Sequence, residues 1–91
     1  MSHPVGAALR HRIELEFVEA DVEIGFSLVD MAERELGSGN PAFASRALHE
    51  AEEVFNDIRR RLECVGDRER EPFGPLVEEL RREIDSAKPR T

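Results

Sequence analysis

Apolar residues recur every three or four positions through the first third of the chain, which is the spacing of an α-helix. The pattern predicts one long helix over residues 8–36. Its apolar residues form two stripes that lie on different sides of the helix. The first stripe contains Leu9, Ile13, Phe17, Ala20, Ile24, Leu28 and Met31. The second stripe contains Leu15, Val18, Val22, Gly25, Val29, Ala32 and Leu36.

The two stripes together occupy an unusually large part of this helix. At about 100° per residue they cover roughly 240° of the circumference, whereas an ordinary surface helix has one apolar face of about 100°. The remaining strip is polar and carries Glu16, Glu19, Glu23, Asp30 and Arg34. The helix therefore requires apolar neighbours on two sides.

A second helix is predicted over residues 41–65, where alanines and larger apolar residues again recur at helical spacing. The short segment before it contains the signals of a helix end and a helix start. Gly37 suits the left-handed position after a helix end, and Asn40 and Pro41 suit the N-cap and the first helical position. Because this connection is short, the first two helices are expected to lie antiparallel.

A third helix is predicted over residues 75–87 from the spacing of its leucine, valine and isoleucine residues. Proline is favoured at the start of a helix, so this helix begins at Pro75 or, alternatively, at Pro72. Residues 1–6 and 88–91 are expected to fray.

These elements predict an all-α fold, an antiparallel up-down-up three-helix bundle that forms a single domain over residues 1–91. The third helix is about 20 Å long and the first about 44 Å, so the third is expected to run from the start of the first to its middle. The bundle would then bury the first stripe fully and the second stripe only along its first half. Exposed apolar strips mark interfaces, and we predict an interface at Val22, Gly25, Phe26, Val29, Ala32 and Leu36.

Composition narrows the classes of partner. The chain of 91 residues carries 13 basic and 20 acidic side chains, a net charge of −7. Nucleic acids and anionic membranes bind cationic surfaces, so neither is an expected partner. No signal peptide and no apolar segment of about 20 residues is apparent. Cys64 is the one cysteine, which excludes an intrachain disulfide, and a cytoplasmic location is predicted.

Candidate chemistry is sparse. His49 has Glu52 and Glu53 three and four residues further on, a spacing at which helical side chains can bind a metal ion. Such a site also requires inward-facing ligands from other helices, and the solvated face of a helix is the favoured interpretation. Cys64 has no histidine close in sequence to act as its base. No metal, cofactor or enzymatic activity is therefore predicted.

The hairpin across residues 28–51 resembles one tetratricopeptide-type repeat. The positions that match are the packing residues of both helices and the turn glycine: Leu28, Met31, Ala32, Gly39, Ala44, Leu48 and Ala51. Glu35 occupies a position that the repeat normally gives to an aromatic residue, and no second copy follows. With its third helix the chain is similar to the three-helix domains of microtubule-interacting and trafficking proteins and to small bacterial three-helix proteins. The resemblance implies that a helix or peptide binds in a groove.

The predicted function is that of a small protein–protein interaction or scaffold module, which forms a homodimer or binds a helix of another protein. The alternative is a metal-binding or phosphotransfer bundle centred on His49.

Overall fold

The computed structural model describes residues 4–88, with side chains described from Gly6 onward. Three long helices form the bundle: α1 over Pro4–Gly37, α2 over Pro41–Glu63 and α4 over Gly74–Ala87. A short helix, α3 over Asp67–Arg70, and a 3-10 turn over Glu71–Phe73 connect α2 to α4. The predicted all-α three-helix fold is confirmed. Helix α1 begins at Pro4, four residues before the predicted start, and Lys88 follows the last residue of α4; of the ends predicted to fray, residues 1–3 and 89–91 lie outside the described part.

The turn between α1 and α2 differs by two residues from the prediction. The left-handed residue is Gly39, with φ of +81°, and Gly37 still belongs to α1. The amide of Asn40 donates to the carbonyl of Glu35 at 2.8 Å, and that of Gly39 donates to Leu36 at 3.2 Å. These two bonds form a Schellman motif, which satisfies the last carbonyls of α1. Asn40 is the N-cap of α2, as predicted, and its side chain accepts from the amide of Phe43.

Helix α4 lies beside the second half of α1, whereas the sequence led us to expect it beside the first half. Gly25 of α1 is so close to Leu80 that an added Cβ would be 2.8 Å from a leucine methyl group. The physical reason is that the connection after α2 is itself helical and runs along α1. Glu69 lies 3.8 Å from the imidazole of His11, and Phe73 reaches Val22 before α4 begins.

The position of α4 determines which stripe of α1 is buried. Val18, Val29 and Ala32 of the second stripe are fully inaccessible, while the first stripe faces outward. The expectation that the first stripe forms the core is therefore wrong. The core contains Val18, Val22, Val29, Ala32, Ala44, Ala47, Leu48, Ala51, Phe55, Ile58, Leu62, Val65, Phe73, Leu80, Ile84 and Ala87. No helix within residues 4–88 combines the length and apolar composition needed to span a bilayer.

An ion-pair network fastens α4 to α2. The guanidinium of Arg81 donates to both carboxylate oxygens of Glu52, at 2.9 and 2.6 Å, and lies over the ring of Phe55 at 4.8 Å. It also donates to Asp85, and Lys88 lies 2.6 Å from Glu52. The hydrogen bonds from Arg81 and then Lys88 outweigh partial burial and lower the pKa of Glu52 from 4.5 to about 2. The network holds α4 over the second stripe.

Candidate interaction surface on the first helix

The first stripe is a continuous apolar surface along α1. Its large side chains are substantially exposed: Leu9 54%, Ile13 42%, Phe17 49%, Ile24 48% and Met31 40%. Ala20 between them is also exposed, and Leu28 is half-buried against the core. Soluble monomers rarely expose contiguous apolar surfaces of this extent. Within residues 4–88, the structure therefore leaves most of this apolar side of α1 without a covering helix.

The spacing within the first stripe determines its shape. Consecutive members are four, four and three residues apart, so the pattern repeats every 11 residues, as from Leu9 to Ala20 to Met31. Eleven residues in three turns is about 3.67 residues per turn, close to the 3.6 of an unstrained α-helix. The stripe consequently runs almost parallel to the helix axis for about 33 Å. A straight apolar strip on a convex helix is suited to contact with another helix.

One edge of the first stripe lies against α2 and is fixed by Arg61. The guanidinium of Arg61 lies over the ring of Phe17, 4.5 Å from the centroid. It also donates to Glu14 at 3.0 Å and lies 3.7 Å from Asp21. Burial raises the pKa of Asp21, although the charge of Arg61 opposes that shift. These contacts hold Phe17 in place and leave its outer face accessible.

The opposite edge of the first stripe is polar and exposed. Arg12, Glu16, Glu23 and Asp30 follow one another along this side of α1, and all four are exposed. Arg34 is also exposed and lies further along the same edge. Carboxylates predominate between the two arginines, so a binding partner meets a largely acidic rim with a cation at each end. Such a rim favours some orientations of a charged partner over others.

The residues predicted as an interface occupy a different place. Val22, Gly25, Val29 and Ala32 are core residues, and the prediction that they are exposed is wrong. Phe26 is half-buried beside Phe73 and Leu76, and Leu36 is exposed at the end of α1. The prediction followed from placing the last helix beside the wrong half of α1. The signal that identifies the buried side is its small residues, because glycine and alanine allow two helices to approach closely.

The residues considered as metal ligands or as a nucleophile do not form a common site. His49 is 76% exposed and pairs with Glu53 at 3.0 Å, whereas Glu52 is bound to Arg81 and Lys88. Within residues 4–88 no three histidine, cysteine, aspartate or glutamate side chains form a group that could hold a metal ion. Cys64 is exposed, and its thiol lies 3.5 Å from the carbonyl of Arg60. The hypothesis of a metal site at His49 therefore has no ligand set in the described residues.

Searches of protein-family models, curated proteins and solved structures found no match to this chain.

Proposed function

We propose that this chain is a small protein–protein interaction module, and that the first stripe of α1 is the surface through which it binds an amphipathic helix. The observation that supports the proposal is the exposure of Leu9, Ile13, Phe17, Ile24 and Met31 along one straight face. Full burial of such a side chain contributes about 1.5–3 kcal/mol, and about half of each remains exposed, so covering one contributes roughly 1 kcal/mol and several together support association.

A helix is the partner best suited to this surface. The first stripe has helical spacing, so its ridges and grooves match those of a second helix lying alongside. A partner with apolar residues three and four positions apart would pack between Phe17, Ile24 and Met31, while its own polar face remained in water. We therefore propose helix–helix recognition as the function, with either a second copy of the chain or a helix of another protein as partner.

The test compares Ile24→Gln with Leu76→Gln. Both side chains are exposed to a similar degree, 48% and 43%, but Leu76 lies on α4 outside the first stripe. Two measurements are made: sedimentation equilibrium of the purified chain at micromolar to millimolar concentration, and affinity capture from the host with each variant as bait. We expect binding in at least one measurement to fall at least 10-fold in Ile24→Gln and to persist in Leu76→Gln.

Two results would contradict the proposal. One is binding of equal strength in wild type and Ile24→Gln, which would place the contact elsewhere on the molecule. The other is the absence of both self-association and captured protein, which would leave the first stripe without a partner.

A further inference from the structure

We infer that the helix bound by the first stripe belongs to another protein and is basic along one edge, so that its lysine or arginine side chains lie against the acidic edge of α1. The inference rests on the proposed function and identifies the chemistry of the partner. The acidic edge consists of four exposed carboxylates that follow one another beside the first stripe: Glu16, Glu19, Glu23 and Asp30.

The carboxylates of the acidic edge have no cationic partner within the described chain. None of the ion pairs of residues 4–88 includes a member of this edge. On the other side of the first stripe, by contrast, Glu14 and Asp21 share the guanidinium of Arg61. The side that faces α2 is therefore neutralised internally, whereas the outer side keeps four negative charges between Arg12 and Arg34.

The negative charge of the acidic edge continues onto α4. Burial raises the pKa of Glu83, and the carboxylates of Glu79, Glu33 and Asp30 raise it further. These groups are therefore close enough to repel one another across the seam between α1 and α4. Of the four, only Glu79 pairs with a cation of the described residues, Arg82. A cation supplied by a bound partner would replace this repulsion with attraction.

A second copy of this chain is a poor partner for the same surface. The chain carries 20 acidic and 13 basic side chains, and pairing of two first stripes would bring two acidic edges together. The apolar strip is also only one helix face wide, so its contact area alone is small for a specific complex. Attraction between opposite charges has to contribute, and this requires a basic partner.

The geometry of α1 defines the pattern of the partner helix. At about 100° per residue, the acidic edge lies roughly a quarter of a turn from the centre of the first stripe. Cationic residues that flank the partner's apolar stripe would reach it, as the charged positions beside a coiled-coil seam do. Lysine and arginine suit these positions, because their aliphatic stems cover apolar surface while their charges stay in water.

The test uses a designed helical peptide as the probe. The peptide has about 22 residues, the length of the first stripe, with leucines at intervals of four, four and three and lysines along one flanking edge. Alanine and glutamine fill the other positions and favour the helix. A control peptide has glutamate in place of each lysine. In calorimetric titrations of the whole chain at low salt, we expect the lysine peptide to bind at least 10-fold more tightly, and salt to weaken its binding.

Two double variants of equal net charge locate the contact. Glu16→Gln/Glu23→Gln removes two charges from the acidic edge, and Glu53→Gln/Glu63→Gln removes two from exposed positions of α2 outside it. Both change the net charge from −7 to −5. We expect the lysine peptide to bind about 5-fold more weakly to the first variant and to lose less than about 2-fold with the second.

The outcomes separate this inference from the proposed function. Equal binding of the lysine and glutamate peptides would overturn the inference and leave the first stripe as a binding surface without charge preference. Equal weakening in the two double variants would also overturn it, because the peptide would then respond to total charge. If the lysine peptide does not bind at millimolar concentration, the inference is wrong, and the comparison of Ile24→Gln with Leu76→Gln decides the proposed function. Tight binding that Ile24→Gln leaves unchanged would overturn both.

Discussion

The two stripes of α1 have similar apolar content and opposite environments. The second stripe is buried against α2 and α4, and the first stripe faces outward with larger side chains such as Phe17, Ile24 and Met31. Total hydrophobicity therefore does not decide which side of this helix forms the core. The sizes of the side chains decide it, because small residues allow the helices to pack closely.

Close packing is visible on both partners of α1. Gly25 leaves room for Leu80 of α4, and α2 presents Ala44, Ala47 and Ala51 from its buried face. A bundle formed instead on the first stripe would place Phe17, Ile24 and Met31 against those alanines and keep the helices further apart. The smaller side chains of the second stripe match their neighbours better and leave the larger ones available for a partner.

The largest expected effect distinguishes the two stripes directly. Val29 is fully buried and Met31, two residues later, is 40% exposed. We expect Val29→Asp to lower the free energy of unfolding by about 3–5 kcal/mol, because the core offers its carboxylate no partner. Met31→Asp should cost less than about 1 kcal/mol. Urea unfolding followed by circular dichroism compares them, and equal losses would mean that the two stripes are not buried as described.

Introducing a leucine into each of the two stripes of α1 gives the next largest difference in stability. At Gly25 the added side chain would collide with Leu80, whose methyl group is already 2.8 Å from the position of a Cβ. We expect Gly25→Leu to destabilise the chain by about 2–3 kcal/mol. Ala20→Leu on the first stripe should leave the unfolding free energy of the monomer within about 0.5 kcal/mol. It should also weaken the proposed binding through the first stripe, because the larger side chain moves α1 away from a helix packed on it. A stable Gly25→Leu would contradict the close contact between α1 and α4.

Sequence reasoning was successful for local structure. The apolar spacing predicted three long helices, and Asn40 and Pro41 correctly marked the start of α2. The left-handed residue was misplaced by two positions because Gly37 and Gly39 both suit a helix end, and α1 ends at Gly37, one residue later than predicted. Only the hydrogen bonds of the folded turn show that Gly39 has the left-handed conformation.

The position of the last helix could not be predicted in the same way. Residues 67–70 have the sequence DRER and contain no apolar periodicity, so nothing in the pattern shows that they form a helical turn. The amide of Arg70 donates to the carbonyl of Gly66 at 3.0 Å and closes the turn, and Glu69 lies 3.8 Å from the imidazole of His11 on α1. Because this segment carries the chain along α1, it shifts α4 to the second half and reverses the environments of the two stripes.

An intermediate effect on stability is expected when the ion pairs that hold α4 against α2 are removed. Helix α4 is the helix that covers the second stripe. Arg81 and Lys88 hold the pKa of Glu52 near 2 rather than 4.5, so the folded state keeps a carboxylate that the unfolded state protonates first. The resulting stabilisation is present above about pH 4.5 and is lost as the pH falls towards 2. Allowing for partial exposure, we expect Glu52→Gln to cost about 1–2 kcal/mol at pH 7.

The pH dependence separates this ion pair from a general surface effect. Urea unfolding at pH 7 and at pH 2 should show the difference between wild type and Glu52→Gln shrinking at the lower pH. Glu53→Gln is the matched control, because Glu53 is adjacent, 66% exposed and paired only with His49 among the contacts of residues 4–88. If Glu53→Gln lowered the free energy of unfolding as much as Glu52→Gln, the ion-pair network would not be what holds α4 against α2.

The smallest expected effect on folding is the one most informative about function. Ile24→Gln removes an exposed apolar side chain from the first stripe and introduces a good helix former, so the unfolding free energy of the monomer should change by no more than about 0.5 kcal/mol. If the partner in the proposed function is a second copy of the chain, self-association stabilises the folded wild type by mass action, and its melting temperature should rise with protein concentration. Thermal unfolding of both chains over a wide concentration range checks this. The dependence should vanish in Ile24→Gln while its melting temperature at high dilution equals that of the wild type. A variant that is less stable even at high dilution would show instead that the first stripe supports the fold of the single chain.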